Sequence, residues 1–486
     1  FSHWSLSENG NPLDTENVTI KKNTTYYAVY KKSENTAWDG ISSYPFLSGD
    51  GTSENPYVIT DAYQLFYLAQ ALQNSSDLAS ANYELTHDID LSGQIWTPIG
   101  TEKYPFTGTF NGNGYTISNF FLDLEASAYA GIFGYVKNAT ITKLSVDNVN
   151  TTGISEAAEN YVGFIAGYVS ADGNETDTII SECKATAAAN ANGNTVYFGG
   201  IAGYVSENAD SNVHITNCYV VADISVDSKA SAIVGGIVGK LVSSSGGLSG
   251  IANCYYSGNI TSVSEVSSYA AGIAGYITES TQASSSDKSG NIRSCFATGS
   301  VSSKSSSDNS SYAGAIYAYA DEYADVNNCR YYSKMTITGD IIPKNENVKL
   351  EKYINLFYEE VYLTELGFYT EEVWQINSDA FPVLKAFTNP KNSLTVTEFD
   401  YSTDDGTMDI TLDLKYVHVQ RCSILVGVYD ERGKMIGFKS LTLNNPDSVR
   451  PVNITITNIK NASNCTVSIV DTDTLTLIEK PIDASL

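Results

Sequence analysis

Through the middle of the chain, apolar and polar residues alternate in short runs broken by glycine, and the runs recur. One landmark is Ile-x-Gly-Tyr, at Ile165/Gly167/Tyr168, Ile201/Gly203/Tyr204 and Ile273/Gly275/Tyr276. Ile132/Gly134/Tyr135 precedes these, Ile237/Gly239/Lys240 replaces the tyrosine, and a decayed Ile316/Ala318/Tyr319 follows. The second is Ile-x-x-Cys, at Ile180/Cys183, Ile215/Cys218, Ile251/Cys254 and Ile292/Cys295, with Val326/Cys329 last. Ile141/Leu144 is an earlier version, and Ile117/Phe120 reads as an earlier one still. Period-2 alternation of Ile, Val, Tyr and Thr, with no 3.6-residue stripe, predicts stacked strands and rejects helical repeats.

The cysteines stand 35, 36, 41 and 34 residues apart, and Phe120 stands 24 before Leu144. About two dozen residues make one turn of a parallel β-helix, with three strands of ~5 residues plus corners. The longer steps then hold inserted loops at Ser243–Gly250, Ser280–Gly290 and Ser302–Ser311. Successive coils stack ~4.8 Å apart, so equivalent residues form ladders. The isoleucine and cysteine columns fit the interior. Stacked Cβ atoms at that spacing exceed the ~3.8 Å of a disulfide, which predicts buried free thiols. The glycine column marks a corner or a place with no room for a side chain. Alternation then turns Tyr135, Tyr168, Tyr204, Tyr276 and Tyr319 outward, either as an exposed aromatic ladder or covered by the inserted loops. The copies carrying Lys240 and Ala318 are expected to be structurally degraded.

The flanks differ. Residues 1–36 read as a small β unit and residues 37–60 as a linker. Asp61 is a good N-cap for a helix over 61–73, whose stripe of Tyr63, Leu65, Phe66, Leu68, Ala69 and Leu72 suits a cap on the open solenoid end. The aromatic-rich stretch 341–388 is expected to cover the last coil, closing a solenoid domain over 37–388. Residues 389–486 alternate in six or so strands with Gly and Asp turns, as in an immunoglobulin- or fibronectin-like sandwich. Cys422 and Cys465 stand apart from the repeat column, which leaves a disulfide between them open. The fold class is therefore all-β: a right-handed parallel β-helix with an N-terminal capping helix, then a β-sandwich.

Composition narrows the function. The net charge of −27 argues against nucleic acid, whose binding needs basic residues on phosphates. No run of 18 apolar residues is present, so no membrane insertion is expected. Asp88 and Asp90 form a D-x-D pair with the spacing for paired-carboxylate chemistry, and their plainer reading is exposed strand positions. Asp321, Glu322 and Asp325 read as an acidic loop. Asp404/Asp405 and Asp471/Asp473 read as ordinary turns before calcium sites. His3, His87, His214 and His418 are scattered without metal-ligand or triad partners, and no H-E-x-x-H exists. Asn111–Gly114 sits in a turn, so a phosphate cradle is not expected. No catalytic residue, metal or cofactor is expected.

Two resemblances add to this reading. Phe1, Trp4 and the run Tyr26–Tyr30 resemble the C-terminal part of an internalin B-repeat (Listeria–Bacteroides repeat), which implies a surface spacer and a natural protein extending upstream. Trp96/Pro98/Gly100 and Phe106/Gly108/Phe110/Gly112/Gly114/Ile117, with the Gly-Tyr repeats, resemble the GLUG-motif surface proteins of bacteria over residues 50–388. That resemblance implies a right-handed β-helix on adhesin-like proteins and supplies no catalytic residues. The expectation is a monomeric, non-catalytic, extracellular surface or wall protein that binds a host or microbial glycan or surface protein. A polysaccharide lyase or glycoside hydrolase, and a pure stalk, are the alternatives.

Overall fold

The computed structural model describes residues 3–5, 27–29, 37–172, 176–207, 211–243, 250–279, 289–308, 310–322, 324–343, 348–351, 364–365, 373–377, 380–388, 393–402, 406–415, 421–432, 434–444, 451–457, 459–471 and 482–485. Its centre is a parallel β-helix. One coil runs through Thr195–Gly199, Ala202–Glu207, Val213–Thr216 and Tyr219–Ser228. These four strands belong to sheets 1 to 4 in that order. Every strand pairs in parallel with its equivalents in the coils before and after. Sheets 1 and 2 hold six strands each, sheet 3 nine and sheet 4 ten.

Each full coil therefore has four strands, where the spacing predicted three. The two-dozen-residue step is also wrong. Ile117 pairs with Val146 and Ile89 in sheet 4, and Phe120 pairs with Val149. The true early members of the columns are Phe110, which pairs with Ile141, and Tyr115. The Tyr115 carbonyl accepts from Ser145 N as the Cys183 carbonyl accepts from Tyr219 N. Ile117/Phe120 imitates the motif because two inward residues around a bulge share the spacing of two inward residues around a corner. The step between paired Thr116 and Ser145 is 29 residues.

The corner from sheet 3 to sheet 4 is built by one residue per coil. Lys143, Glu182, Asn217, Asn253, Ser294 and Asn328, each just before the Leu or Cys, have φ of 53–54°. That left-handed conformation is tolerated best by asparagine among side-chain-bearing residues, which matches its use at three of the six. The next residue then points inward. Cys183, Cys218, Cys254, Cys295 and Cys329 are buried free thiols. Each Sγ donates to the carbonyl two residues back, as Cys218 does to Thr216 at 3.2 Å. Ile132, Ile165, Ile201, Ile237, Ile273 and Ile316 are at most 1% exposed. Burying each stabilises the coil by about 2 kcal/mol.

The glycine column answers to lack of room. A Cβ on Gly203 would fall 2.5 Å from Val162 N and 2.7 Å from the Gly167 carbonyl oxygen. Glycine here lets the backbones of sheets 1 and 2 meet. The Lys240 and Ala318 copies are not degraded: Lys240 pairs in register with Tyr204 and Tyr276, and Tyr317 and Tyr319 with Ala274 and Tyr276. Of the expected loops, Ser302–Ser305 instead belongs to strand Phe296–Ser305. Buried Ser262, Ser268 and Ser303 link their hydroxyls there at 2.8 Å, so a serine-rich stretch satisfies itself inside the wall. Residues 244–249 and 280–288 lie outside the described residues.

The helix Ala62–Asn74 closes the N-terminal end. Asp61 Oδ1 accepts from Gln64 N at 3.0 Å, and Gln64 Oε1 accepts from Thr60 N at 2.8 Å, close to a capping box. Leu65, Phe66, Leu68 and Leu72 enter the core, where Trp38, Phe66 and Trp96 meet at 5.0–6.1 Å.

The described part of the C-terminal stretch departs from expectation. Val348–Glu351 adds a strand beside Cys329–Tyr332, but the hairpin Trp374–Asn377/Ala380–Leu384 does not cover the last coil. It lies outside sheet 4 as a strap. Trp374 packs on Tyr255 at 5.8 Å and Tyr219 at 6.3 Å, and Tyr255 donates to the Pro382 carbonyl at 2.8 Å. Further on, Phe387 lies under the Lys184 ammonium, and the Ala386 carbonyl rests over Gly114. Tyr219, Tyr255 and Phe296 stack at 4.9 Å, an apolar ridge that the strap buries. Such a ridge on the outside of a sheet draws the hairpin to it.

Ser393 onward forms two antiparallel sheets of three and four strands. Their order is that of a fibronectin-like sandwich, with a core of Met408, Ile424, Val426, Ile454 and Val467. The Cys422–Cys465 disulfide is excluded. Cys465 is a buried free thiol facing Val428, six positions along the neighbouring strand from Cys422. At ~3.4 Å per residue that gap is about 20 Å. Near the start, Trp4 pairs with Ala28 in a two-stranded antiparallel unit, and the rest of 1–36 lies outside the described residues.

Candidate functional site: a two-column tyrosine wall

Tyr135, Tyr168, Tyr204, Tyr276 and Tyr319 form one column on the outside of sheet 2, each half-buried, with Lys240 between Tyr204 and Tyr276. Neighbouring rings stack: Tyr135–Tyr168 at 4.6 Å, Tyr168–Tyr204 at 5.0 Å and Tyr276–Tyr319 at 4.5 Å. What half-covers them is a second tyrosine column, on sheet 1, which the sequence reading missed. Tyr129, Tyr161, Tyr197, Tyr269 and Tyr312 share its register, with Ile233 in the gap. The signal was present: in four coils a tyrosine stands seven residues before the Gly-Tyr tyrosine, and in the first coil six.

The columns interlock edge to face. Tyr161 meets Tyr168 at 87° and Tyr204 at 90°, and Tyr197 meets Tyr204 at 88°, with centroids 5.1–5.5 Å apart. These are favourable aromatic geometries, worth about 1 kcal/mol per pair. The wall is thus a rigid aromatic surface with hydroxyls at its rim. Glu159 accepts from Tyr161 OH at 2.6 Å and Tyr197 OH at 2.9 Å.

At the Ile233/Lys240 rung both columns lose a ring, leaving a hollow of about 280 Å³. Ile233, Lys240, Tyr197, Tyr269 and Tyr276 line it. Thr195, Ser231 and Ser267, aligned in sheet 1, add hydroxyls. The Lys240 ammonium lies 5.7, 5.4 and 5.3 Å from the ring centres of Tyr197, Tyr204 and Tyr276. Burial pulls its pKa down, opposed by Glu159.

Burial raises the tyrosine hydroxyls in the wall, Tyr135 and Tyr276 up to about 12 from an ordinary 10. A raised folded pKa means that the unfolded chain ionises first as pH climbs. The stability these hydroxyls contribute is intact below pH 10 and is lost as pH rises toward 12. The melting temperature is therefore expected to fall steadily over that window. A flat profile in differential scanning calorimetry across it would refute the buried wall.

The other candidates do not assemble a site. Asp88 Oδ1 accepts from Thr116 N at 2.7 Å, and Asp90 Oδ1 from Ser92 N at 2.7 Å and Asn119 Nδ2 at 3.0 Å. Both carboxylates hold backbone and a bulge. Asp325 bonds Asn327, and His214 Nε2 meets Asp177 Oδ2 at 3.1 Å. His87 is half-buried and stacks on Tyr115 at 6.5 Å, and desolvation lowers its pKa. His418, Asp404/Asp405 and Asp473 lie outside the described residues. Among the described residues no group of three or more His, Cys, Asp or Glu side chains is placed to hold a metal ion, and no helix is long and apolar enough to cross a membrane.

No protein-family model matches the chain. It is similar to halomucin of Haloquadratum walsbyi, with 31% identity over 170 residues, covering 32% of this chain and 2% of that protein. It is also similar to a putative Gly-rich membrane protein of Evansella cellulosilytica, with 34% identity over 129 residues, covering 25% of this chain and 14% of that protein. The chain thus spans a small part of either relative, the second of which is named a membrane protein.

Proposed function

We propose that this chain is a non-catalytic, extracellular surface protein, an adhesin whose tyrosine wall lies against a host or microbial glycan. The observation that carries this reading is the pair of interlocked columns. Ten half-buried or buried tyrosines on five of six successive rungs give stacking faces and phenolic hydroxyls at a ~4.8 Å repeat. Sugar rings offer the matching apolar faces and hydroxyls. A stiff wall loses little conformational freedom on binding, and many weak contacts along it add through multivalency. The engagement of Asp88 and Asp90 with backbone amides supports a non-catalytic role. The resemblance to GLUG-motif surface proteins supports the location, and the chain acts as a monomer.

The test is an array of mucin glycans, plant polysaccharides and matrix proteins probed with the purified chain, with bound ligands weighed afterwards. Intact glycan is expected on the chain. Tyr168→Ala is expected to weaken binding roughly fivefold, from the loss of about 1 kcal/mol of stacking. Shortened ligands would overturn the non-catalytic reading. Binding indifferent to Tyr168→Ala and Tyr276→Ala would move the site off this wall.

A further inference from the structure

The wall is interrupted at one rung, and the interruption is chemically specific. Lys240 stands in register where tyrosine occupies the column on either side, and Ile233 stands where the second column would place another ring. The ammonium sits between the faces of Tyr204 and Tyr276 and beside Tyr197, so rings hold its position. Among the described residues it forms no ion pair; those found are Lys137–Asp172 and His214–Asp177. No carboxylate lines the hollow. Glu159, whose charge acts on the ammonium, is itself held by two tyrosine hydroxyls. A cation held by rings, with no ion-pair partner and no carboxylate in the lining of its hollow, is an uncommon arrangement on a chain of net charge −27.

We infer that the Ile233/Lys240 hollow is an anion-reading subsite that selects acidic saccharides, with Lys240 meeting a carboxylate or sulfate while Tyr197, Tyr269 and Tyr276 hold the sugar ring. The inference rests on the glycan-binding reading above and names its ligand class. The hollow's 280 Å³ is near the lower end for small-molecule sites and suits one or two sugar units. Thr195, Ser231 and Ser267 supply hydroxyls that pair with sugar hydroxyls. A neutral polar sugar leaves the ammonium without its ion, whereas an acidic one meets a donor already stripped of much of its water.

The test uses the full chain and Lys240→Met, which keeps the stem and removes the charge, with melting temperatures confirming that both fold. Probes are sialyllactose, oligogalacturonate and a sulfated galactose oligomer, with neutral counterparts: lactose for the first and an unsulfated galactose oligomer for the other two. The wild-type chain is expected to prefer at least one acidic probe about tenfold, with that preference shrinking as salt rises. Lys240→Met is expected to abolish the preference, so that acidic and neutral probes then bind alike. The carboxylate and sulfate arms say which anion is read. Equal binding of acidic and neutral probes, or a preference that survives Lys240→Met, overturns the subsite while the wall reading stands. Absence of binding to any probe, neutral ones included, overturns both.

Discussion

Gly203→Val is expected to disrupt the β-helix at its middle, costing about 3 kcal/mol or more. The added Cβ alone would lie 2.5 Å from Val162 N and 2.8 Å from the Val162 carbonyl oxygen. Both are backbone atoms of a parallel ladder, which cannot swing aside as the end of a long side chain can. The strand must lift, and its neighbours Ala166–Ala171 and Val238–Ser243 lift with it, because every coil is bonded to the next. Urea unfolding of the variant beside Asp227→Asn, an exposed change in the same coil, reads the effect. The Asn control is expected within 0.5 kcal/mol of the parent. A valine variant as stable as that control would mean that sheets 1 and 2 do not approach so closely.

Trp374→Ala is expected to release the strap. The indole is 1% exposed, and truncating a buried tryptophan costs about 3–5 kcal/mol. The loss falls on a hairpin of two short strands whose stability comes from the solenoid beneath it. Amide exchange over Trp374–Leu384 should accelerate by two or more orders of magnitude, and Tyr219 and Tyr255 should become accessible to solvent. Tyr255→Phe removes only the hydroxyl that donates to the Pro382 carbonyl, with an expected cost near 1 kcal/mol. If exchange over the strap is unchanged in the alanine variant, the tryptophan does not anchor it.

Much of the solenoid was readable because each of its rules repeats. The Ile and Cys columns, the impossibility of disulfides within the column, the glycine constraint and the N-cap at Asp61 all follow from local chemistry seen several times over. The strand count per coil was not readable from the shortest apparent step. Ile117/Phe120 carries the motif's spacing, and only hydrogen-bond register separates a bulge from a corner. The Tyr135 column was visible through its fixed place beside glycine. Its partner column hid because Ile233 and a six-residue offset at Tyr129 blur the spacing. The strap was beyond sequence reasoning for another reason: Tyr255 and Pro382 meet across 127 residues, and nothing local marks Tyr219, Tyr255 and Phe296 as a ridge awaiting a lid.

That strap has a mechanical consequence. Hydrogen bonds between coils run along the solenoid axis, so a pull on the two ends of the rod loads them in series, and the weakest rung yields first. The strap reaches from the Gly114 level to the Tyr255 level, about four rungs or 19 Å. It lies beside those rungs, so it is loaded in shear together with them. Prising one of these coils from the next also requires sliding Trp374 and the Phe387 segment off their seats. The strapped section should be the stiffest part of the rod, and under tension the chain should part first at coils beyond Phe296.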